Sequence, residues 1–104
     1  MSSIAAGTTL TTALVSTGDT TGELVLKTNG TTTAVTIDTS QNVAVVGQIV
    51  AAAGTALLPS ITTTGDVNTG IFFSAANTVD IATDGVARAQ INSAGDFAIN
   101  AGFG

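Results

Sequence analysis

Residues 24–37 of the chain read LVLKTNGTTTAVTI, which is two apolar runs separated by Asn29-Gly30. Asn-Gly between apolar segments is the strongest short signal of a β-hairpin, because a tight type I′ turn needs positive φ at both central positions. Residues 79–91 read VDIATDGVARAQI and place Asp84-Gly85 at the same point. Turn-forming residues follow again at 40–42 and at 94–96. Each stretch therefore predicts a three-stranded meander preceded by a Thr-rich extended arm.

The alternation of side chains predicts one apolar face for each meander. Ala87, Ala89 and Ile91 alternate with Arg88 and Gln90, so the two sets are expected on opposite sides of one strand. The same spacing relates two apolar pairs of the first meander, namely Val35 with Ile37 and Val43 with Val45. No stretch shows a convincing helical period, so we predict an all-β chain.

The chain also matches itself along its length. The matched stretches are GTTL at 7–10 with GTAL at 54–57, TGD at 17–19 with TGD at 64–66, and IDT at 37–39 with INS at 91–93. The offset is 47 positions for the first two matches and 54 for the third, so the second copy carries seven extra residues.

This repeat predicts two tandem units. Repeats of this length are typical of stacked units that share a continuous core. We therefore divide the chain into a first β repeat at residues 1–50 and a second at residues 51–104. The extra residues of the second copy are expected near residues 71–76.

The composition limits what a single copy can bury. The hydrophobic fraction of 44% is mostly Ala and Val, and the chain has four Phe but no Trp or Tyr. Aromatic side chains bury about 150–250 Å² each, so their scarcity reduces the area that folding removes from water. The 12 glycines raise the entropy cost of folding, and without Cys or His the chain can form neither a disulfide nor a structural zinc site. We therefore expect a marginally stable single chain that associates with itself.

The charge pattern argues against binding to nucleic acid or to a membrane. Lys27 and Arg88 are the only basic residues beside seven acidic ones, and the net charge is −5. Nucleic-acid binding needs a basic patch that neutralises phosphates, which two separated cations cannot form. The most apolar stretch, residues 43–58, is interrupted by Gly47 and Gln48 and is shorter than the roughly 20 residues that span a bilayer.

The residue types needed for catalysis are missing. Without His or Cys, no Ser-His-Asp or Cys-His set can form, and Glu23 and Lys27 are the only residues of their kinds. Residues 66–70 (DVNTG) begin like a calcium loop, but the later ligands and the closing Glu are absent. Each Asp has a turn or surface explanation. We expect no enzyme activity, no cofactor and no metal.

The second copy resembles a known family. The stretches that carry the resemblance are GTALLPSI at 54–61, TGDVNTGIF at 64–72, NTV at 77–79 and DGVARAQINSAGDFAI at 84–99. They are similar to a repeat of bacteriophage tail fibres, and residues 7–47 match it more loosely. The resemblance implies a β-rich segment of a homotrimeric fibre or virion spike, and it brings no catalytic residue.

Together these patterns predict an intertwined, homotrimeric, fibre-like or spike-like β protein of a bacteriophage virion. Tail fibres add an attachment module and a receptor-binding tip, for which this chain leaves no room. We therefore expect a capsid decoration (cement) protein that contacts two further copies and the major capsid protein, with the first repeat as the anchor. The alternative is a tail-fibre or spike component that recognises a host surface. A third class is a secreted adhesin or an ice-binding module, which the Thr clusters suggest.

The trimer core is expected to form from the apolar strand positions of both repeats. These are Val35, Ile37, Val43, Val45, Ile81, Ile91, Phe97 and Ile99. A charge placed among them should abolish the trimer, because a buried, unpaired charge is strongly unfavourable.

Overall fold

The computed structural model describes residues 2–9 and 14–100, apart from the side chains of Ser2 and Val15. Leu10, which ends the first GTTL match, and Phe103 lie outside these residues. The described residues form ten strands and no helix, so the all-β prediction is confirmed. The strands are β1 (Ser2–Ala6), β2 (Leu14–Thr17), β3 (Leu24–Thr28), β4 (Thr32–Ile37), β5 (Val43–Val45), β6 (Ile61–Thr63), β7 (Asp66–Phe72), β8 (Val79–Thr83), β9 (Val86–Ile91) and β10 (Phe97–Ile99).

The first of two compact units, Met1–Ile49, contains one five-stranded sheet with the order β2-β1-β3-β4-β5. Its last three strands form the antiparallel meander that the sequence predicts. The residues before this meander form two further strands, so the prediction of an extended arm is wrong. β1 pairs with β3 in parallel, with Ile4 opposite Leu26, and β2 runs antiparallel along the other side of β1.

The second unit begins at Val50 and contains a sheet with the order β10-β9-β8-β7-β6, in which all neighbours are antiparallel. β8, β9 and β10 form the second meander. β7 lies beside it, where the first sheet has β1, but its pairing is antiparallel. The longer stretch between the matched residues 64–66 and 91–93 therefore contains an additional strand, Asp66–Phe72, which begins before the position 71–76 that we predicted.

The hairpin turns explain why the two meanders share one backbone path. Asn29 and Gly30 have φ of 50° and 76°, and Asp84 and Gly85 have φ of 51° and 72°. Asn and Asp tolerate this left-handed region, and Gly enters it without a steric penalty. The predicted turns are confirmed at both places. The first loop is one residue longer, since Thr28 pairs with Thr32 whereas Thr83 pairs with Val86.

The second turn of each meander is held by one side-chain oxygen. In the first unit, Asp38 Oδ1 accepts the backbone N–H groups of Ser40 and Asn42, both at 2.9 Å. In the second unit, Asn92 Oδ1 accepts the equivalent two N–H groups, both at 3.0 Å. A short side chain that bonds its own downstream backbone favours a tight turn over a continued strand.

Each meander contains a β-bulge at an equivalent place. In the second unit, Ile81 pairs with Ala89, but the next residue, Ala82, pairs with Ala87, so Arg88 has no partner opposite. Successive residues of a strand point to opposite faces, and directly paired residues share a face. The predicted alternation is therefore wrong for Ala87, which lies on the face opposite to Ala89. The first unit has the same shift after Leu26.

Each sheet has one face that is buried within the chain, which we call the covered face. Its fully or nearly fully buried members are Ser3, Ala5 and Val25 in the first sheet and Phe72, Asp80 and Ala82 in the second. In the second unit, residues 51–60 lie against the sheet. The Phe73 N–H donates to the Ala53 carbonyl at 2.8 Å, and a Cβ on Gly70 would lie 3.2 Å from Pro59 Cβ.

Candidate interaction surface

The eight residues predicted as a trimer core all lie opposite the covered faces, on what we call the open face of each sheet. In the first sheet the open face consists of two cross-strand rows, Leu24-Ile37-Val43 and Leu26-Val35-Val45, which Ile4 extends through β1. In the second sheet the rows are Val79-Ile91-Phe97 and Ile61-Ile71-Ile81-Ala89-Ile99. Apart from Ala89, every residue of these rows is a Val, Ile, Leu or Phe.

The open faces remain accessible to solvent. Val43 is 61% exposed, Phe97 is 62% exposed and Ile99 is 55% exposed, while Val35 and Ile37 are half-buried. Fully burying one such side chain is worth about 1.5–3 kcal/mol. The open faces therefore hold most of the large apolar side chains of the strands without burying them.

The covered faces carry smaller and more polar side chains than the open faces. Val25 and Ala82 are 0% exposed, but Ser3 and Asp80 are buried beside them. A chain that is stable alone is expected to bury its large aliphatic side chains and to expose the smaller and more polar ones. A contiguous exposed apolar surface on a soluble protein marks a site of interaction with another molecule.

A further exposed apolar segment joins the two units. Val46 is 74% exposed, Ile49 is 76% exposed and Val50 is 89% exposed. The sequence analysis considered this stretch only as part of residues 43–58, which are too short to span a bilayer, and gave it no other role. The sequence did contain a signal for this segment. Its branched aliphatic residues follow β5 but do not continue the alternation of a strand.

Among the described strands, each sheet ends in an edge strand with a neighbour on one side only. β2 and β5 end the first sheet, and β6 and β10 end the second. An edge strand presents unpaired N–H and C=O groups that a strand of another chain can bond. β5, β6 and β10 have only three residues each, and short edge strands reduce uncontrolled pairing.

One buried carboxylate contradicts the expectation that every Asp lies in a turn or at the surface. Asp80 is 2% exposed at the centre of the second covered face. Its Oδ2 accepts the Ser74 N–H at 2.9 Å, and its Oδ1 accepts Gln90 Nε2 at 2.7 Å. Burial alone raises the pKa of Asp80, but the bonds from Ser74 and Gln90 outweigh it, so the pKa of Asp80 is lowered. The group is an ionised, fully bonded structural element.

Other sequence candidates are also placed by the structure. Residues 66–70 belong to β7, and an extended strand does not have the geometry of a calcium loop. Arg88 Nε donates to Thr83 Oγ1 at 2.9 Å across the bulge. Asp38 lies in its turn as expected, and hydrogen bonds from Asn42, with a further bond from Ser40, lower its pKa.

Sequence reasoning missed several members of the open faces. They are Ile4, Leu24, Leu26, Ile61, Ile71 and Val79. The signal for Leu24 and Leu26 was their spacing of two on one side of Asn29-Gly30. Ile61 and Ile71 could not be found in this way, because β6 and β7 were not predicted.

Comparisons with known proteins give no family for the chain. No protein-family model, no curated protein and no solved structure matches it. In the part of the chain that the structure describes, no helix has the length and apolar character needed to cross a membrane.

Proposed function

We propose that this protein is a homotrimeric structural component of a bacteriophage virion, acting as a capsid decoration protein that stabilises contacts between capsid subunits. The observation that carries the proposal is the pair of open faces. Each sheet leaves its Ile, Val and Leu rows exposed, and sister copies would supply the burial that one copy lacks.

We infer three copies from the tail-fibre resemblance of residues 54 to about 102, which implies a β-rich segment of a homotrimeric fibre. Three sheets arranged around an axis bring their open faces together and leave the covered faces outside. Closed cyclic symmetry limits the number of copies in such an assembly, because every open face is bound within the ring and none is left to bind further copies.

The role in this proposal is mechanical and requires no reaction. The buried carboxylate of Asp80 is bonded within the second unit, by Gln90 of β9 and by Ser74 of the connection between β7 and β8, and it lies opposite to the open face. The protein would act through shape, apolar burial and backbone pairing at its sheet edges, with the major capsid protein as the partner and without a cofactor.

The assembly is tested first by mass and by one charge substitution. Sedimentation equilibrium should give the unmodified protein a mass three times the 10.1 kDa of the single chain. Ile91→Asp should sediment as a monomer, because it would place an unpaired charge in the apolar interface. In the single chain Ile91 is 44% exposed, so the variant should keep its β circular dichroism spectrum.

Ala98→Asp is the matched control for this experiment. Ala98 is exposed, lies between two open-face residues of β10, and pairs with Gln90 of the covered face. This variant should remain trimeric. A trimeric, folded Ile91→Asp variant would contradict the assignment of the open face, and a monomeric unmodified protein would contradict the trimer itself.

The place in the particle is tested by copy number. Quantitative mass spectrometry of purified virions should find on the order of hundreds of copies per particle for a protein that repeats over the capsid symmetry. A few copies to a few dozen would instead support the alternative, a tail-fibre or spike component, which the resemblance to tail-fibre repeats favours.

A further inference from the structure

The open face of the second sheet carries both a projecting ring and a recess. Phe97, at the edge of the sheet, is 62% exposed and is the only aromatic residue of either open face among the described residues. Beside it is a shallow apolar depression lined by Val79, Ile81, Ala89, Gln90, Ile91 and Phe97.

The recess arises from one small side chain in a row of large ones. Ala89 lies between Ile81 and Ile99 in the long cross-strand row of this sheet. Its methyl group stops short of the surface that the neighbouring isoleucines reach. Phe97 lines one side of this recess and is itself 62% exposed, so its ring is accessible to another molecule.

The first sheet differs at both equivalent positions. Val35 occupies the place of Ala89, and Val43 occupies the place of Phe97, as their pairing shows. Two side chains of similar size in one sheet are thus replaced by one smaller and one larger side chain in the other. Opposed changes in volume are what a knob and its hole require.

The exposed area of the chain is sufficient for such a contact. The chain exposes 7170 Å². Two separate compact units of half its mass would together expose about 6,400 Å². The excess is about 800 Å², which is the area that each partner contributes to a stable interface of standard size.

We propose that the Phe97 ring of one copy inserts into the recess over Ala89 of the next copy, so that three such contacts close the trimer at the second sheet. The inference rests on the proposed trimer and specifies its central contact. In a cyclic trimer this contact is made three times, so that every Phe97 ring and every recess finds a partner within the ring of copies. Buried aromatic residues in well-packed pockets are the usual dominant contacts of interfaces.

A size-exchange experiment tests the contact. Phe97→Ala should remove the knob and Ala89→Phe should fill the hole, and each should raise the protein concentration for half-dissociation by about 10- to 100-fold. The double variant Ala89→Phe/Phe97→Ala exchanges the two and should recover a large part of the lost affinity. The same exchange at the equivalent positions of the first sheet, Val35→Phe with Val43→Ala, serves as the control and should show no comparable recovery.

Cross-linking tests the same contact directly, since the chain has no cysteine of its own. Chains carrying Ala89→Cys are refolded together with chains carrying Phe97→Cys, and the mixture is oxidised. A disulfide-linked dimer is expected from the mixture and not from either chain alone. Mixing Ala98→Cys chains with Ala89→Cys chains gives the control, because residue 98 lies on the other face.

The outcomes separate this inference from the proposed function. A trimer that keeps its full affinity in Ala89→Phe, or that gives no cross-link in the mixture, overturns the knob-and-hole contact and leaves the trimer standing. If Ala89→Phe fails to fold, Ala89→Leu replaces it as the hole-filling variant. An unmodified protein that stays monomeric at every concentration overturns the proposed function and this inference together.

Discussion

The two units share the backbone of their meanders and differ in what they bury. Val25 in the first sheet and Asp80 in the second hold equivalent central positions, opposite Thr36 and Gln90 respectively. Both are almost fully buried, yet one is an aliphatic side chain and the other is an ionised carboxylate. The turn residues therefore set the path of the chain, and the interior tolerates either chemistry provided that a buried charge finds enough donors.

The strand beside each meander gives a second contrast. The first sheet uses β1, which runs parallel to β3, and the second uses β7, which runs antiparallel to β8. β7 approaches its other neighbour, β6, closely, since a Cβ on Gly70 would overlap the Ile61 carbonyl oxygen. The second sheet thus depends on a glycine where the first has no counterpart.

The largest expected effect would break the second sheet and spare the first. Gly70→Ala should destabilise the second unit by about 3 kcal/mol or more, because the added methyl group would overlap backbone atoms of β6 that cannot move without losing their pairing. Hydrogen exchange measured by mass spectrometry should show loss of protection in residues 61–72, with protection retained in residues 24–45.

Gly47→Ala is the control for this effect, because nothing lies within 4 Å of a Cβ at that position. It should leave both units unchanged. Full protection of β6 and β7 in Gly70→Ala would show that the close approach is not a requirement of the second sheet.

A smaller effect is expected at the buried carboxylate. Asp80→Asn replaces one carboxylate oxygen, which accepts hydrogen bonds, by an amide group that donates them. Because Ser74 and Gln90 also donate at this site, one bond is lost, and the second unit should become less stable by about 1–3 kcal/mol. Chemical denaturation followed by hydrogen exchange can assign the loss to residues 79–99. Asp84→Asn, in the exposed turn of the same hairpin, should change stability little, since Asn also tolerates positive φ.

The same carboxylate gives the second unit a dependence on pH. The folded pKa of Asp80 is lowered from 3.8, so its contribution to stability is complete above that value and is lost as the pH falls through the folded pKa. Hydrogen exchange should show that acid reduces the protection of the second covered face, measured relative to neutral pH. This reduction should be larger in the unmodified protein than in Asp80→Asn. An identical acid response of the two proteins would exclude Asp80 as the cause.

The smallest effect would sharpen the comparison of the hairpins. Gly30→Ala and Gly85→Ala each force a residue with a Cβ into positive φ, at a cost of about 1–2 kcal/mol. The cost should be similar at the two positions, because the atom nearest to a methyl group at Gly85 is Leu57 Cδ2, at 3.0 Å, which ends an exposed side chain that can move. Thermal unfolding can compare the two variants with Gly18→Ala, where nothing lies within 4 Å. Equal shifts in Tm for Gly85→Ala and Gly18→Ala would contradict this view of the turn.

The parts of the fold that local signals determine could be predicted from the sequence. Asn29-Gly30 and Asp84-Gly85 predicted the hairpins, and the spacing of Val43 and Val45 predicted a shared face. The bulges could not be predicted in this way, because a register shift changes no residue type and inverts every side chain beyond it. The pairing of β1 was equally hidden, since it joins segments that are far apart in the chain.

The buried state of Asp80 was missed for a different reason. An Asp between two apolar residues suggests a solvated face, and only the donors that tertiary structure brings from Ser74 and Gln90 make its burial possible. The open faces could be predicted as apolar, but not as exposed. The alternation of residues along a strand shows that one face is apolar, but it does not show what packs against that face.

The direction of β1 also bears on how fast each half acquires its structure. In the first sheet Ile4 must find Leu26, across more than twenty intervening positions, before the central strand has both neighbours. In the second sheet every strand pairs with the one directly before or after it, as Ile71 does with Ile81. Because folding slows as the sequence separation of contacts grows, the second unit should complete its sheet before the first unit does.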